Sequence, residues 1–229
     1  MNRTKIEYLD YTTNPIVGCS GKGCAVSKVC WACGQAKRAK HRCDLCYQFV
    51  PHVHFERFDD PLKVKKPSRI GYCFMGDFFD EEISESIRAE LKLVMEKAPW
   101  HKFIVFTKQP QNIDLDERYP ANMWIGVSVN RQKDDWRIDA LRQVPVSVRI
   151  VSFEPLLEHI DADLTNIQWV IIGAQRRPNI QPHYHWVADL VSYARIFRAF
   201  VFLKNNLYPR PTPIHYQEYP KIRKINYTF

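Results

Sequence analysis

The sequence predicts an α/β protein: a partial or complete parallel βα (TIM-like) barrel with a Cys-rich metal-binding insert after the first strand. Three observations predict it. Near-continuous apolar runs recur along the chain, as parallel strands buried on both faces require. Helix-patterned stretches separate several of them, which implies parallel pairing with right-handed crossovers. Six of the seven cysteines fall within 28 residues, Cys19 to Cys46, just after the first β-type run.

That first run lies within Ile6 to Val17 and ends at Ile16-Val17. The cysteine stretch follows, with a basic patch, Lys37-Arg38-Ala39-Lys40-His41-Arg42, between its halves. Pro67 and Ser68 precede a second run, Ile70 to Met75, closed by Gly76-Asp77. Glu81 to Lys97 reads as a helix, because Ile83, Ile87, Leu91, Val94 and Met95 recur at helical spacing and acids fill its first turn. Strands are expected at Lys102–Thr107, Trp124–Val129, Val148–Phe153, Trp169–Gly173 and Phe200–Leu203. Helices are expected at Asp134–Gln143 and Trp186–Arg198, and the connection from Thr107 to Trp124 reads as a loop. Residues 1–206 form the barrel domain, with 19–66 as its Cys/His-rich insert, and 207–229 form a Pro/Tyr-rich arm covering the barrel or a partner. No Gly-x-Gly-x-x-Gly or P-loop sequence follows any strand, which argues against a dinucleotide-binding or nucleotide-hydrolysing protein.

A polar residue follows nearly every strand: Asp77, Lys108, Asn130, Glu154, Gln175 and Lys204. In βα barrels the active site is built at that end of the strands. The cysteines follow the first strand and share the same end. Lys108 and Lys204 can bind a carboxylate or phosphate there as point charges, or pair internally with Glu154 or Asp77.

Composition narrows the class. With 229 residues and 45% hydrophobic content a sizeable core is expected. No apolar run reaches membrane-spanning length and the N-terminus is too polar for a signal peptide, so a cytoplasmic, reducing location with no membrane partner is expected. There a cysteine cluster binds metal rather than forming disulfides. Soft thiolates select zinc or an iron–sulfur cluster over magnesium or calcium. The net charge of +8 raises the expectation of a nucleic-acid, nucleotide or other polyanionic partner.

Eight motifs then occur in one order: NPIVGC, the cysteines ending in CWA, MGDFF, FTKQP, WIGVSVN, RIVSFEPLL, WVIIGAQ and VFLKNN. Over about residues 6–206 they resemble the phage- and archaeon-associated, three-cysteine branch of the radical S-adenosylmethionine (SAM) superfamily, related to spore photoproduct lyase. The resemblance implies a partial βα barrel, a [4Fe–4S] cluster on Cys19, Cys24 and Cys30, and SAM on the fourth iron. It implies that Met75-Gly76-Asp77 takes the SAM amino group, that Ser128, Asn130 and Glu154 face ribose or substrate, and that Gly173, Ala174 and Gln175 lie near adenine. Glu154, Lys108 and Lys204 become the candidate catalytic residues, and an electron donor such as ferredoxin or flavodoxin is implied. The spacing departs from the usual C-x3-C-x2-C: here it is C-x4-C-x5-C, with Val29 where an aromatic residue is usual.

Six cysteines exceed three, so a second site follows. Cys43-x2-Cys46-x5-His52-x-His54 has spacing suited to zinc, with Cys33 as a further candidate. The expected set draws on Cys33, Cys43, Cys46 and one of His52 or His54. A rival pairing puts Cys43 and Cys46 on the iron cluster. Cys73 reads as a small core residue and His41 as exposed, while His101, His159, His183, His185 and His215 receive no role. Two other functions stay open: a zinc-containing nucleic-acid-binding protein without catalysis, and an iron–sulfur protein that does not use SAM.

Overall fold

The computed structural model describes residues 1–39, 41–208 and 216–220. Strands β1 (Asn2–Arg3) and β2 (Tyr11–Thr13) open the chain, and β3 (Ile16–Val17) pairs antiparallel with β4 (His52–Val53) in a small separate sheet. Between them lie the short helices α1 (Trp31–Ala36) and α2 (Asp44–Gln48). The remainder alternates β5 (Arg69–Tyr72), α3 (Glu85–Lys97), β6 (Lys102–Thr107), β7 (Met123–Ser128), α4 (Trp136–Arg142), β8 (Arg149–Phe153), β9 (Trp169–Ile172), α5 (Tyr184–Ile196) and β10 (Phe200–Leu203).

The main sheet has eight strands in the order β1-β2-β5-β6-β7-β8-β9-β10. Only the β1–β2 pair is antiparallel; every other neighbouring pair is parallel. From β2 onward the order in space follows the order in the chain, with no reversal. The ladder is open: β1 and β10 are its edges, and no closing pair joins them among the described residues.

Both faces of the sheet are dry. On β6, Phe103 and Val105 join one core with Leu91, Val94 and Met95 of α3, Ile138 and Leu141 of α4, and Leu190 and Val191 of α5. Ile104 points the other way, into a second core with Tyr8, Leu9, Trp124, Ile150, Trp169, Ile171 and Phe202. Alternate residues of one strand therefore feed different cores, and this two-sided burial is why the strands read as continuous apolar runs. The three long helices contribute to the first core alone.

Most expected elements form within a few residues of their expected ends. Helix α3 starts later than Glu81, because Ser84 caps it by accepting from the Ile87 amide at 3.5 Å. The first run is the main exception. The sheet strand ends at Thr13, and Ile16-Val17 leaves the main sheet to pair with Val53 and His52. The second run stops at Tyr72, where Cys73 takes φ of 62° and turns the chain. Cys73 is a buried core residue, as expected. Of the arm, residues 207–208 and 216–220 are described; 216–220 lies antiparallel on β10, with Gln217 opposite Phe202 and Tyr219 packed on Trp169. The rest of 209–229 and Lys40 lie outside the described residues. No helix among the described residues is long and apolar enough to cross a membrane.

Candidate functional site

The cysteine loop sits over the C-terminal ends of β5, β6 and β7. Gly18 bridges Gly76 in parallel, and its amide donates to the Met75 carbonyl at 3.0 Å. Neither glycine has room for a side chain. Gly18 has φ of +83°, and a Cβ there would stand 2.1 Å from the Val50 carbonyl oxygen. At Gly76 a Cβ would meet the Gly18 carbonyl oxygen at 2.8 Å. Next along, the Ser20 amide donates to Asp80 Oδ2 at 2.8 Å, and Gln109 Nε2 donates to Ser20 Oγ and to Asp80 Oδ2. Asp80 is fully buried.

This places Cys19 beside the strand ends. Burial pushes its thiol up to about 11; the Gly21 amide opposes this, Cys30 and Asp77 add to it, and Lys108 opposes it. Cys30 is an electrostatic neighbour of Cys19, while Cys19, Cys24 and Cys30 are not among the groups of three or more close ligand atoms found in the described residues. Asp77 is buried, and burial is the main cause holding its carboxyl above the usual range. Its carboxylate accepts from the Phe79 amide at 3.0 Å, the Lys108 amide at 2.9 Å and the Thr107 hydroxyl. A carboxylate has about four acceptor positions, so about one is left for a ligand. The Lys108 ammonium makes no hydrogen bond or ion pair among the described residues.

The other strand ends carry a second charged group. Lys204, nearly buried, is ion-paired with Glu154 and lies 3.7 Å from Glu7 Oε2. Gly173 lies against it: a Cβ there would meet Lys204 Cδ at 3.0 Å and Glu154 Cγ at 3.2 Å. Ser128 and Asn130 lie between the two charged groups in chain order, and both are buried. Asn130 Nδ2 donates to the Pro155 carbonyl, while its Oδ1 has no partner among the described residues. Gln175 departs from the group, because its backbone pairs with Ile180 and its amide reaches the Pro178 carbonyl.

Cys43, Cys46, His52 and His54 form a separate constellation whose ligand atoms all lie within 4.8 Å of one another. Cys46 Sγ is 3.3 Å from His52 Nε2 and 3.2 Å from His54 Nε2; Cys43 Sγ is 3.6 Å from His52 Nε2, and the two Nε2 atoms are 3.0 Å apart. With metal–sulfur bonds of about 2.3 Å and metal–nitrogen bonds of about 2.0 Å, a tetrahedral site has edges of about 3.3–3.8 Å. The observed edges are close to that. The other ring nitrogens are held: His52 Nδ1 faces the Val50 carbonyl at 2.8 Å and His54 Nδ1 faces Glu56 Oε1 at 2.9 Å. Each acceptor keeps the proton on Nδ1 and leaves the Nε2 lone pair toward the centre, which is how metal-binding histidines are oriented. Burial and then Arg57 hold His54 below its usual pKa, favouring the neutral ligand form. Burial and Cys43 push the Cys46 thiol up to about 11. The Cys46 amide donates to Cys43 Sγ at 3.4 Å, which turns both thiols to one side of the α2 start.

One expected member is absent from this constellation. Cys33 lies in α1, where its amide donates to Cys30 Sγ at 3.5 Å, and both histidines take part in place of one. The adjacent strand β4 carries His52 and ends just before His54, so the two rings face the same point. Several supporting residues escaped the sequence reading: Glu7, Asp80, Gln109 and Arg137. Arg137 had a legible signal, a cation next to Ile138 on the apolar stripe of α4. Glu56, two residues after His54, was also legible as a histidine's carboxylate partner.

No curated protein and no solved structure matches the chain. A family model does, over residues 3–206, a span that takes in strands β2 to β10, the cysteine loop and the Cys/His constellation; its description is protein of unknown function (DUF5131), and the chain belongs to that family.

Proposed function

We propose that the protein is an iron–sulfur enzyme of the radical SAM type, built on a partial βα barrel, with a separate zinc ion holding its insert. The observation that carries this reading is the backbone bridge from Gly18 to Gly76, which sets Cys19 against Met75-Gly76-Asp77. Sequential strand order and helices on one face support the barrel reading over a doubly wound sheet.

Cys19, Cys24 and Cys30 would hold the cluster, leaving one iron open. When bound, the cluster and SAM supply a 5′-deoxyadenosyl radical that takes hydrogen from a nucleic-acid or nucleotide-type substrate. This chain's own groups bind and orient. The remaining acceptor position of Asp77 suits the SAM amino group, and the Lys108 ammonium suits its carboxylate. Asn130 Oδ1 offers an unused acceptor for a ribose hydroxyl. Glu154 and Lys204 neutralise one another, so they form a fixed polar wall beside Gly173 rather than a free acid and base. Cys43, Cys46, His52 and His54 would hold zinc with no open position, the arrangement of a structural site.

Oxygen-free purification tests the reading. The expected protein is brown, carries about four irons and one zinc per chain, and releases 5′-deoxyadenosine from SAM with dithionite. Cys19→Ser, Cys24→Ser and Cys30→Ser each lose the iron, while Cys33→Ser keeps both metals. One zinc with no iron after cluster reconstitution would leave a zinc protein without this catalysis. Iron without SAM binding would leave a non-SAM iron–sulfur protein.

A further inference from the structure

The positive charge of this chain is concentrated in one segment. Residues 19–66 hold ten Lys/Arg against four Asp/Glu, while the other residues hold 23 against 21. The excess is therefore local and calls for a local partner. Large apolar side chains lie exposed among these charges: Val29, Trp31 (60% exposed), Leu45 and Phe55 (62%). Exposed aromatics interleaved with cations are what a single-stranded nucleic acid uses, since each base offers a face to stack and each phosphate a charge.

The structure gives this a place. A cleft of about 420 Å³ opens between the start of α1 and residues 177–178. Lys28, Lys37 and Arg177 line it, and no carboxylate does. All three side chains are exposed, and none makes a hydrogen bond or ion pair among the described residues. Cys30 lines the same cleft, and Trp31 follows it in the chain. The three cations and Cys30 share one cleft, and the exposed Trp31 is the residue next to Cys30 in the chain.

We propose that this cleft seats a single-stranded nucleic acid, with phosphates on Lys28, Lys37 and Arg177 and a base stacked on Trp31. Seating the strand here brings it to the rim that holds Cys30. The inference rests on the preceding reading in one respect, that the bound strand is the enzyme's substrate; binding itself does not depend on it. A duplex is disfavoured because its stacked bases offer no free face to the indole.

Fluorescence anisotropy on the full chain, as purified, tests the proposal. The probes are fluorescein-labelled oligodeoxythymidine, oligouridine and a DNA duplex of equal length, each titrated over a salt series. Single strands are expected to bind more tightly than the duplex, with log affinity falling linearly in log salt. The K28A/K37A/R177A variant should weaken single-strand binding at least about tenfold and flatten the salt slope by about 0.7 for each phosphate no longer neutralised. Trp31→Ala should weaken it about 5- to 100-fold, and Trp31→Phe should keep most of the affinity. Circular dichroism melting shows that each variant remains folded. No binding at low salt overturns the proposal, and so does equal duplex affinity with no loss in Trp31→Ala. SAM cleavage is scored separately. Stacking-dependent binding without deoxyadenosine sinks the enzyme reading alone, and deoxyadenosine without binding sinks this one alone.

Discussion

Arg137 ties α4 to Gly23. Its Nη2 donates to the Gly23 carbonyl at 2.7 Å, while its Nη1 donates to the Ser128 carbonyl at 2.8 Å. One buried guanidinium thus joins the cysteine loop to the end of β7, and Asp134 lies 3.3 Å away to balance its charge. The planar fork of arginine can serve two carbonyls and a carboxylate at once, which a lysine ammonium at the same place cannot do in the same geometry.

Arg137→Gln therefore has two expected effects. Removing one partner leaves Asp134 buried and unpaired, at a cost of about 3–5 kcal/mol in urea unfolding. The loop that carries Cys19 and Cys24 also loses its anchor, so iron retained per folded chain should fall. Unchanged iron content in Arg137→Gln would show that the loop holds its shape without this clamp.

The Cys/His constellation predicts dependence on its outer partner. Glu56 holds His54 Nδ1, yet its own side chain is largely exposed, so its loss leaves the fold intact. Glu56→Ala should lower zinc affinity about 10- to 100-fold in competition with a chromophoric chelator. Cys46→Ser should release the zinc and lower the melting temperature. A zinc affinity in Glu56→Ala equal to that of the parent would remove this histidine from the ligand set.

Lys204 and Glu154 should behave as a coupled pair. Lys204→Met leaves Glu154 and Glu7 facing one another without a counter-charge, at an expected cost of about 3–5 kcal/mol. Adding Glu154→Gln should restore part of that loss, which a double-mutant cycle in urea measures. Strict additivity would mean that the ion pair does not hold the β8 and β10 ends together.

Acid should loosen residues 216–220. Glu218 takes both guanidinium nitrogens of Arg195, at 3.0 and 2.7 Å, and the Val201 amide at 3.0 Å. The Arg195 hydrogen bonds, first among the causes, hold its carboxyl below the ordinary 4.5. A depressed carboxylate pKa contributes stability that is present above the unfolded value and lost as pH falls through the folded one. Hydrogen exchange at the Val201 amide, compared at fixed temperature after correction for intrinsic rates, should show protection at neutral pH and its loss below about pH 4. Glu218→Gln should abolish that pH dependence.

Sequence patterning carried most of the architecture. Lys102–Thr107 and Phe200–Leu203 form strands with the expected bounds, because each apolar run is buried on both faces and meets a polar residue where the burial ends. The same rule located Asp77, Lys108, Asn130, Glu154 and Lys204 at one end of the sheet. Cysteine and histidine spacing located the second metal set except for its membership. Cys33 lies close to Cys43 in sequence but is turned away by α1, and only the pairing of Val17 with His52 aims both histidines at Cys46.

What patterning specified by itself was local: which residues are buried on two sides, where each buried run stops, and which soft ligands lie within reach. Contacts between distant segments needed the tertiary structure. The departure of Ile16-Val17 from the main sheet, the grip of Arg137 on Gly23 and the convergence of Lys28, Lys37 and Arg177 each join residues far apart in the chain. Periodicity reports the burial of a side chain and carries no record of which distant group it meets.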